Sequence, residues 1–284
     1  MTVVIAGCGD LGIEAGLRFA ALGHPVLGLR RSVEKLPPEI AGQSVDLSAH
    51  VPTLPADTSV VVIAVSPDER TRDGYLATYV ESVRNIAAAI ERDCAAAPRV
   101  IYVSSTAVYG VSDGSWVDES TPATPASPTA TVLREAEVLL LESVANSTIL
   151  RLAGIYGPGR TRQIDRIREG NETLALTPYF TNLIHRDDAA AAIVHLATMA
   201  TSPASIYLGV DDEPADQREV IGFLARSIDR PVPPPKADDG ANDGRGRGKR
   251  CRNDRLKGAG FSFVYPSYRE GYAAVLRGVG TLHR

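Results

Sequence analysis

Six residues near the start of the chain constrain its fold more than any other feature. Gly7-Cys8-Gly9-Asp10-Leu11-Gly12 follows an apolar, β-branched run, Val3–Ala6, and opens an amphipathic stretch, Leu11–Ala21. A G-x-G-x-x-G between a strand and a helix solves one geometric problem. The first glycine permits the tight turn, the second lets a pyrophosphate approach the backbone, and the third lets helix and strand pack closely. The helix N-terminus then offers free N–H groups and a positive dipole end to the phosphates. The segment therefore reads as a dinucleotide-binding loop, with Gly7, Gly9, Asp10, Leu11 and Gly12 against the cofactor.

The rest of the first 150 residues keeps the same alternation. Pro25–Leu29, a weak Gln43–Val45, Val60–Val65, Val100–Val103 and Thr148–Leu152 read as buried parallel strands. Gly74–Asp93 reads as a helix, and a second begins at Pro128 with Ser127 as its N-cap. Asp187–Met199 and Asp216–Ile228 are expected helices, and Asp118–Pro128 an expected loop. Alternating strands and helices specify an α/β fold, a Rossmann-like doubly wound parallel sheet. The segment 231–250, PVPPPKADDGANDGRGRGKR, cannot bury a core and reads as a loop. Its basic end, GRGRGKR, lacks the aromatics of an RNA-binding tail. The remaining tail, 261–276, looks ordered again.

Composition removes several function classes. A net charge of −4 and a pI of about 5.8 give no global attraction to nucleic acid or anionic lipid. No apolar run approaches the roughly 18 residues that a membrane span needs. The opening strand has no basic n-region of a secretory leader. Cys8, Cys94 and Cys251 are odd in number and lack metal-ligand spacing, as expected of reduced thiols in a cytoplasmic protein.

The end of the second strand bears on the choice of cofactor. An NAD site usually carries an acid there to bond the ribose 2′-OH. This chain has Arg30-Arg31 instead. A guanidinium can take a 2′-phosphate through a bidentate fork, so NADP(H) is expected over NAD(H). By position, Asp46-Leu47 would flank the adenine, and Ala64-Val65-Ser66 would pass beneath the cofactor.

SSTAVYG, residues 104–110, places hydroxyls at the end of another strand. Taken with the glycine loop, LRLAGIYGPGR (150–160) and TNLIHRDDAAAAI (181–193), its order and spacing resemble the extended short-chain dehydrogenase/reductases, the NAD(P)-dependent epimerase/dehydratase relatives. The tail 248–272 is similar to the C-terminus of one atypical, epimerase-like branch. The resemblance implies a dinucleotide-binding domain over 1–156. A small C-terminal substrate lobe would occupy most of 157–284, with 181–210 returning to the first domain. It also implies dimerisation through the 74–93 and 128–144 helices.

The same resemblance puts a substrate-bonding hydroxyl at Ser105. It places Ser104 and the loop Leu152-Ala153-Gly154-Ile155 beside the cofactor, and Thr106, Arg160, Asn182 and His185 by the substrate. Its Tyr-x-x-x-Lys pair, however, falls on Thr129 and Leu133 of PTATVLREAEVLL. Neither can ionise usefully, and no Tyr-x-x-x-Lys exists elsewhere. The four lysines, Lys35, Lys236, Lys249 and Lys257, all lie far along the chain from this motif. Tyr109, Tyr156 and His185 are the candidate replacement proton donors.

An epimerase must first oxidise a hydroxyl, which needs a base. Reduction is less demanding. The expected activity is thus an NADP(H)-dependent reduction of an activated carbonyl, imine or conjugated alkene. A non-catalytic NADP(H) sensor and an epimerase or dehydratase with an altered site are the alternatives. Arg160, Arg162, Arg166 and Arg168 either receive an anionic substrate or form a solvated face, and their neighbouring acids favour the second.

Overall fold

The computed structural model describes residues 1–236 and 246–283. Of the expected loop over 231–250, residues 237–245 lie outside the described residues.

Seven parallel strands form the central sheet. Numbered along the chain, they are β1 (Thr2–Ala6), β2 (Val26–Arg30), β3 (Ala41–Ser44), β4 (Thr58–Ile63), β5 (Arg99–Ser105), β6 (Ser147–Leu152) and β7 (Ile206–Gly209). Their spatial order is β7-β6-β5-β4-β1-β2-β3. The chain runs outward from β1 to β3, then crosses back to β4 beside β1. That reversal opens a crevice at the carboxyl ends of β1 and β4, where open α/β sheets bind ligands.

The strands read as continuous apolar runs because both faces are covered. Val3–Ala6 and Val60–Ile63 are wholly buried. One face packs against the helices Asp10–Ala21 and Arg186–Thr198. The other packs against Ser82–Asp93 and Pro128–Ser143. The expected helix over 74–93 starts at Arg72 and contains a widened π turn, Leu76–Glu81. Ser127 caps its helix as expected, its Oγ accepting from the Ala130 N–H at 3.2 Å.

A second, smaller sheet corrects the reading of 231–250 as loop throughout. Gly248–Cys251 is a strand, parallel to Asp113–Val117 and to Phe180. Ala215–Asp216 completes this sheet on the far side of Phe180–Thr181. No apolar alternation marks GKRC as a strand. Its backbone groups find partners because residues 113–117, 180 and 182 are brought beside it.

Candidate active site

The three glycines of the loop do three different jobs. Gly7 has φ +83°, and a Cβ there would meet the Val65 nitrogen at 2.7 Å. A Cβ on Gly12 would lie 2.9 Å from the Gly7 carbonyl oxygen. A Cβ on Gly9 would meet nothing within 4 Å. The turn and the packing are thus tight, while the middle glycine faces open space at the helix N-terminus. This cradle fits a pyrophosphate.

A cleft of about 350 Å³ opens there. Gly7, Gly9, Arg30, Arg31, Asp46, Leu47, Ala64, Val65 and Ser66, all anticipated from the sequence, line it together. Parallel register explains the meeting. Ala6 pairs with both Leu29 and Ile63, so the residues after β1, β2 and β4 emerge side by side. Arg30 Nη1 donates to the Cys8 carbonyl at 3.0 Å, which holds its guanidinium over the loop. Arg31 makes a two-pronged pair with Asp68 at 2.7 and 3.0 Å. That pair is exposed, and it holds the Asp68 carboxyl below its usual range. Ser32 and Lys35 also line the cleft. Sequence reasoning missed both, although their nearness to Arg30-Arg31 along the chain is a signal that could have found them.

Three members of the loop or its helix stand elsewhere. Leu11 and Gly12 are buried beneath it. Asp10 turns toward the C-terminal tail, where its carboxylate accepts from Arg186 at 2.7 Å, Arg160 at 3.1 Å and the His283 N–H at 3.2 Å. Arg160 therefore braces the glycine-loop helix and is absent from the lining of the cleft at the end of β5.

The second cleft, about 570 Å³, lies at the end of β5. Ser105, Thr106, Tyr109, Ala153, Gly154 and Asn182 line it. Ser105 Oγ accepts from the Ala107 N–H at 3.2 Å, which leaves its hydrogen free to donate. Ser104 points the other way, its Oγ donating to Glu137 at 2.6 Å in the core. Leu152 is buried, and Ile155 packs against the first core face. Asn182 has both ends of its amide engaged by backbone. Nδ2 donates to the Lys249 carbonyl at 3.0 Å and Oδ1 accepts from the Cys251 N–H at 2.7 Å. It clamps the Gly248–Cys251 strand.

The proton-donating atoms of the candidates are all turned away from the cleft, including the hydroxyl of Tyr109, which lines it. The Tyr109 hydroxyl accepts from buried Arg151 at 2.7 Å, and burial raises its pKa. Tyr156 is buried against Tyr272, its hydroxyl donating to the Ser267 carbonyl at 3.3 Å, and burial raises its pKa far more. His185 is 1% exposed and caps the Arg186–Thr198 helix through Nδ1. Burial pushes its pKa down to about 4, so the ring is neutral. Leu133, at the position the resemblance assigns to lysine, is buried against the Val108–Tyr109 segment.

Distance along the chain does not keep every lysine from the cleft. Lys249, remote in the chain, lines the same cleft as Ser105, and its Nζ donates to the Tyr109 carbonyl at 2.8 Å. Nothing local in GRGRGKR marks this. The strand pairing with Asp113–Val117 carries it there.

A glycine loop at the switch point of a doubly wound sheet, with a hydroxyl-lined cleft beside it, defines a Rossmann-fold protein of the extended short-chain dehydrogenase/reductase type. The sequence matches the NAD dependent epimerase/dehydratase family over residues 18–209, and the chain belongs to that family. It is 30% identical to protein YeeZ of Escherichia coli strain K12, over 93% of this chain and 96% of that one. Among solved structures, a Methylobacillus flagellatus protein described as an NAD-dependent epimerase/dehydratase is 33% identical. It covers 98% of both chains with a TM-score of 0.78. The human epimerase family protein SDR39U1, solved with NADPH, shares the fold at 18% identity and a TM-score of 0.78, covering 98% of this chain and 100% of its own. Among the described residues, no helix is long and apolar enough to cross a membrane.

Proposed function

We propose that the protein is an NADP(H)-dependent oxidoreductase that reduces an activated carbonyl, imine or conjugated alkene of a small molecule. One observation carries the cofactor preference. Arg30, Arg31, Lys35 and Ser32 share a cleft with the glycine loop. Cationic and hydroxyl donors of this kind suit a 2′-phosphate, which a ribose 2′-OH would leave unmatched.

In this reading the Gly7–Gly12 turn and its helix N-terminus hold the pyrophosphate, and Ala64–Ser66 form the floor. The bound nicotinamide supplies hydride chemistry. Ser105 orients the substrate oxygen or nitrogen and polarises it through its free hydrogen. Leu133 and Thr129 stand where the family resemblance puts Lys and Tyr, so an alcohol substrate lacks the usual base. Reduction asks only for a proton, and that requirement favours the reductive direction.

Fluorescence titration with NADPH and NADH tests the cofactor assignment. Tight NADPH with weak NADH is expected, and binding of neither overturns it. Turnover with carbonyl, imine and enone acceptors tests the reaction. Ser105→Ala should then lower kcat/KM about tenfold, the worth of one neutral hydrogen bond, and leave NADPH affinity unchanged. The turning of the Tyr109 and Tyr156 hydroxyls and of the His185 ring away from the cleft favours a second reading, a non-catalytic NADP(H) sensor. A sensor would bind NADPH and NADP⁺ unequally, turn nothing over and be indifferent to Ser105→Ala. An epimerase with an altered site would instead retain its cofactor tightly and show no net redox.

A further inference from the structure

The substrate-side cleft has an unusual charge balance for a chain of net charge −4. Among the described residues its lining contains several hydroxyls, no carboxylate, and one charged side chain, that of Lys249. The arginines that the sequence offered to an anion are engaged elsewhere. Arg160 bonds Asp10, Arg166 bonds Glu172 at 2.9 Å, and Arg168 reaches Asp165 at 3.4 Å. Lys249 makes no ion pair among the described residues. Its Nζ has three hydrogens and gives one to the Tyr109 carbonyl, four residues beyond Ser105. The strand that carries it is locked in place by both ends of the Asn182 amide. The helix Pro128–Ser143 also begins at this cleft, since Ser127 and Ala126 line it, and adds the positive end of its dipole.

We propose that Lys249 is the anion-recognising residue of this cleft, and that the substrate is a small acid whose carboxylate or phosphate it holds beside Ser105. This assignment rests on the reading of the cleft as the substrate side of a reductase. A half-buried ammonium without a counter-charge is the costly half of an ion pair, and an incoming anion completes it. Burial lowers the Lys249 pKa, in keeping with a group that lacks its partner.

With only four lysines, the chain permits a direct test. Protein grown on lysine labelled with ¹³C at Cε gives four signals, and Lys249→Arg assigns the relevant one. The probes are inorganic phosphate and malonate, titrated at constant ionic strength against chloride. The expected result is a saturable shift of the Lys249 signal, with an affinity at least about tenfold above any response of the other three, the worth of one charge-assisted bond. In a pH titration, saturating phosphate or malonate should also raise the Lys249 midpoint. A Lys249 signal that ignores both anions, or moves in step with the other three, overturns the proposal. Should Lys249→Arg fail to fold, Lys35→Arg, Lys236→Arg and Lys257→Arg assign the other three signals and leave that of Lys249, and the titration itself is read on wild-type protein. NADPH titration of the same sample separates the two readings. NADPH binding with a silent Lys249 removes the anion site alone. A responsive Lys249 without NADPH binding removes the cofactor reading and leaves the anion site standing.

Discussion

The cofactor-side cleft and the substrate-side cleft sit at the same edge of one sheet, yet rest on different foundations. Behind the first, Val3–Ala6 and Val60–Ile63 carry only apolar side chains, all buried. Behind the second, β5 and β6 bring polar groups into the core. Glu137, fully buried, accepts from Arg151 at 2.9 and 2.6 Å, from Ser104 at 2.6 Å and from Arg134 at 3.1 Å. Arg151 also donates to Tyr109, which anchors the segment after Ser105. An apolar wall gains stability from area and tolerates small changes of shape. A fully satisfied charged network contributes little net stability but penalises every arrangement except one. The side expected to orient a reacting group is the side with the network.

The largest effect should come from breaking that network. Glu137→Ala leaves Arg151 buried and unpaired, and urea unfolding should show a loss of about 3–5 kcal/mol. Val62→Ala, in the apolar wall, should cost about 2 kcal/mol. A smaller loss at Glu137 than at Val62 would erase the contrast between the two foundations.

On the cofactor side the expected losses lie in binding. Arg30→Ala with Arg31→Ala should lower the NADPH/NADH affinity ratio about 10- to 100-fold, the worth of one charge-assisted contact. Within the glycine loop, Gly7→Ala strains a left-handed backbone pressed on Val65 and should lower the melting temperature. Gly9→Ala, with nothing within 4 Å of the new methyl, should melt like wild type and lose NADPH affinity. Equal melting losses at the two glycines would contradict the cradle.

A pH experiment reads a buried carboxyl that lines neither cleft. Burial pushes the Asp211 carboxyl up to about 8, with Oδ2 unpartnered among the described residues. The folded chain holds this proton and the unfolded chain releases it near the ordinary carboxyl value, so the contribution of Asp211 to stability is full below about pH 4 and falls as pH rises toward 8. Asp211→Asn should flatten that fall, read as melting temperatures at pH 5 and pH 8 that converge in the variant. The smallest effect should be Asp68→Asn. It frees Arg31 from an exposed pair and should tighten NADPH by a few-fold, with little change in melting.

The cofactor side is largely legible in the sequence because its parts are local. Gly7–Gly12 is one contiguous turn, and the residues after β2 and β4 reach the cleft through parallel register alone. Asp10 is an instructive failure there. A first-turn acid beside a phosphate loop reads as part of it, but Arg186, Arg160 and the tail at His283 draw its carboxylate away. The substrate side is legible at Ser105 and Thr106, at Ala153-Gly154 and at Asn182, all of which reach its cleft. Tyr109, Tyr156 and His185 have the right chemistry and the wrong orientation, since burial and hydrogen bonds to Arg151, Ser267 and the Asp187 N–H hold them.

From the sequence alone came the doubly wound sheet, the phosphate loop, the cationic end of β2 and the lack of a Tyr-x-x-x-Lys pair. Each depends on periodicity or on residues within one turn of each other. The tertiary structure alone decided that Lys249 reaches the Ser105 cleft, that Asn182 clamps the strand carrying it, and that Glu137 and Arg151 meet in the core. The first two contacts join segments bridged by strand pairing, which depends on which backbone edges are left open once the rest of the chain has packed, and the third needs the helix Pro128–Ser143 laid on the sheet.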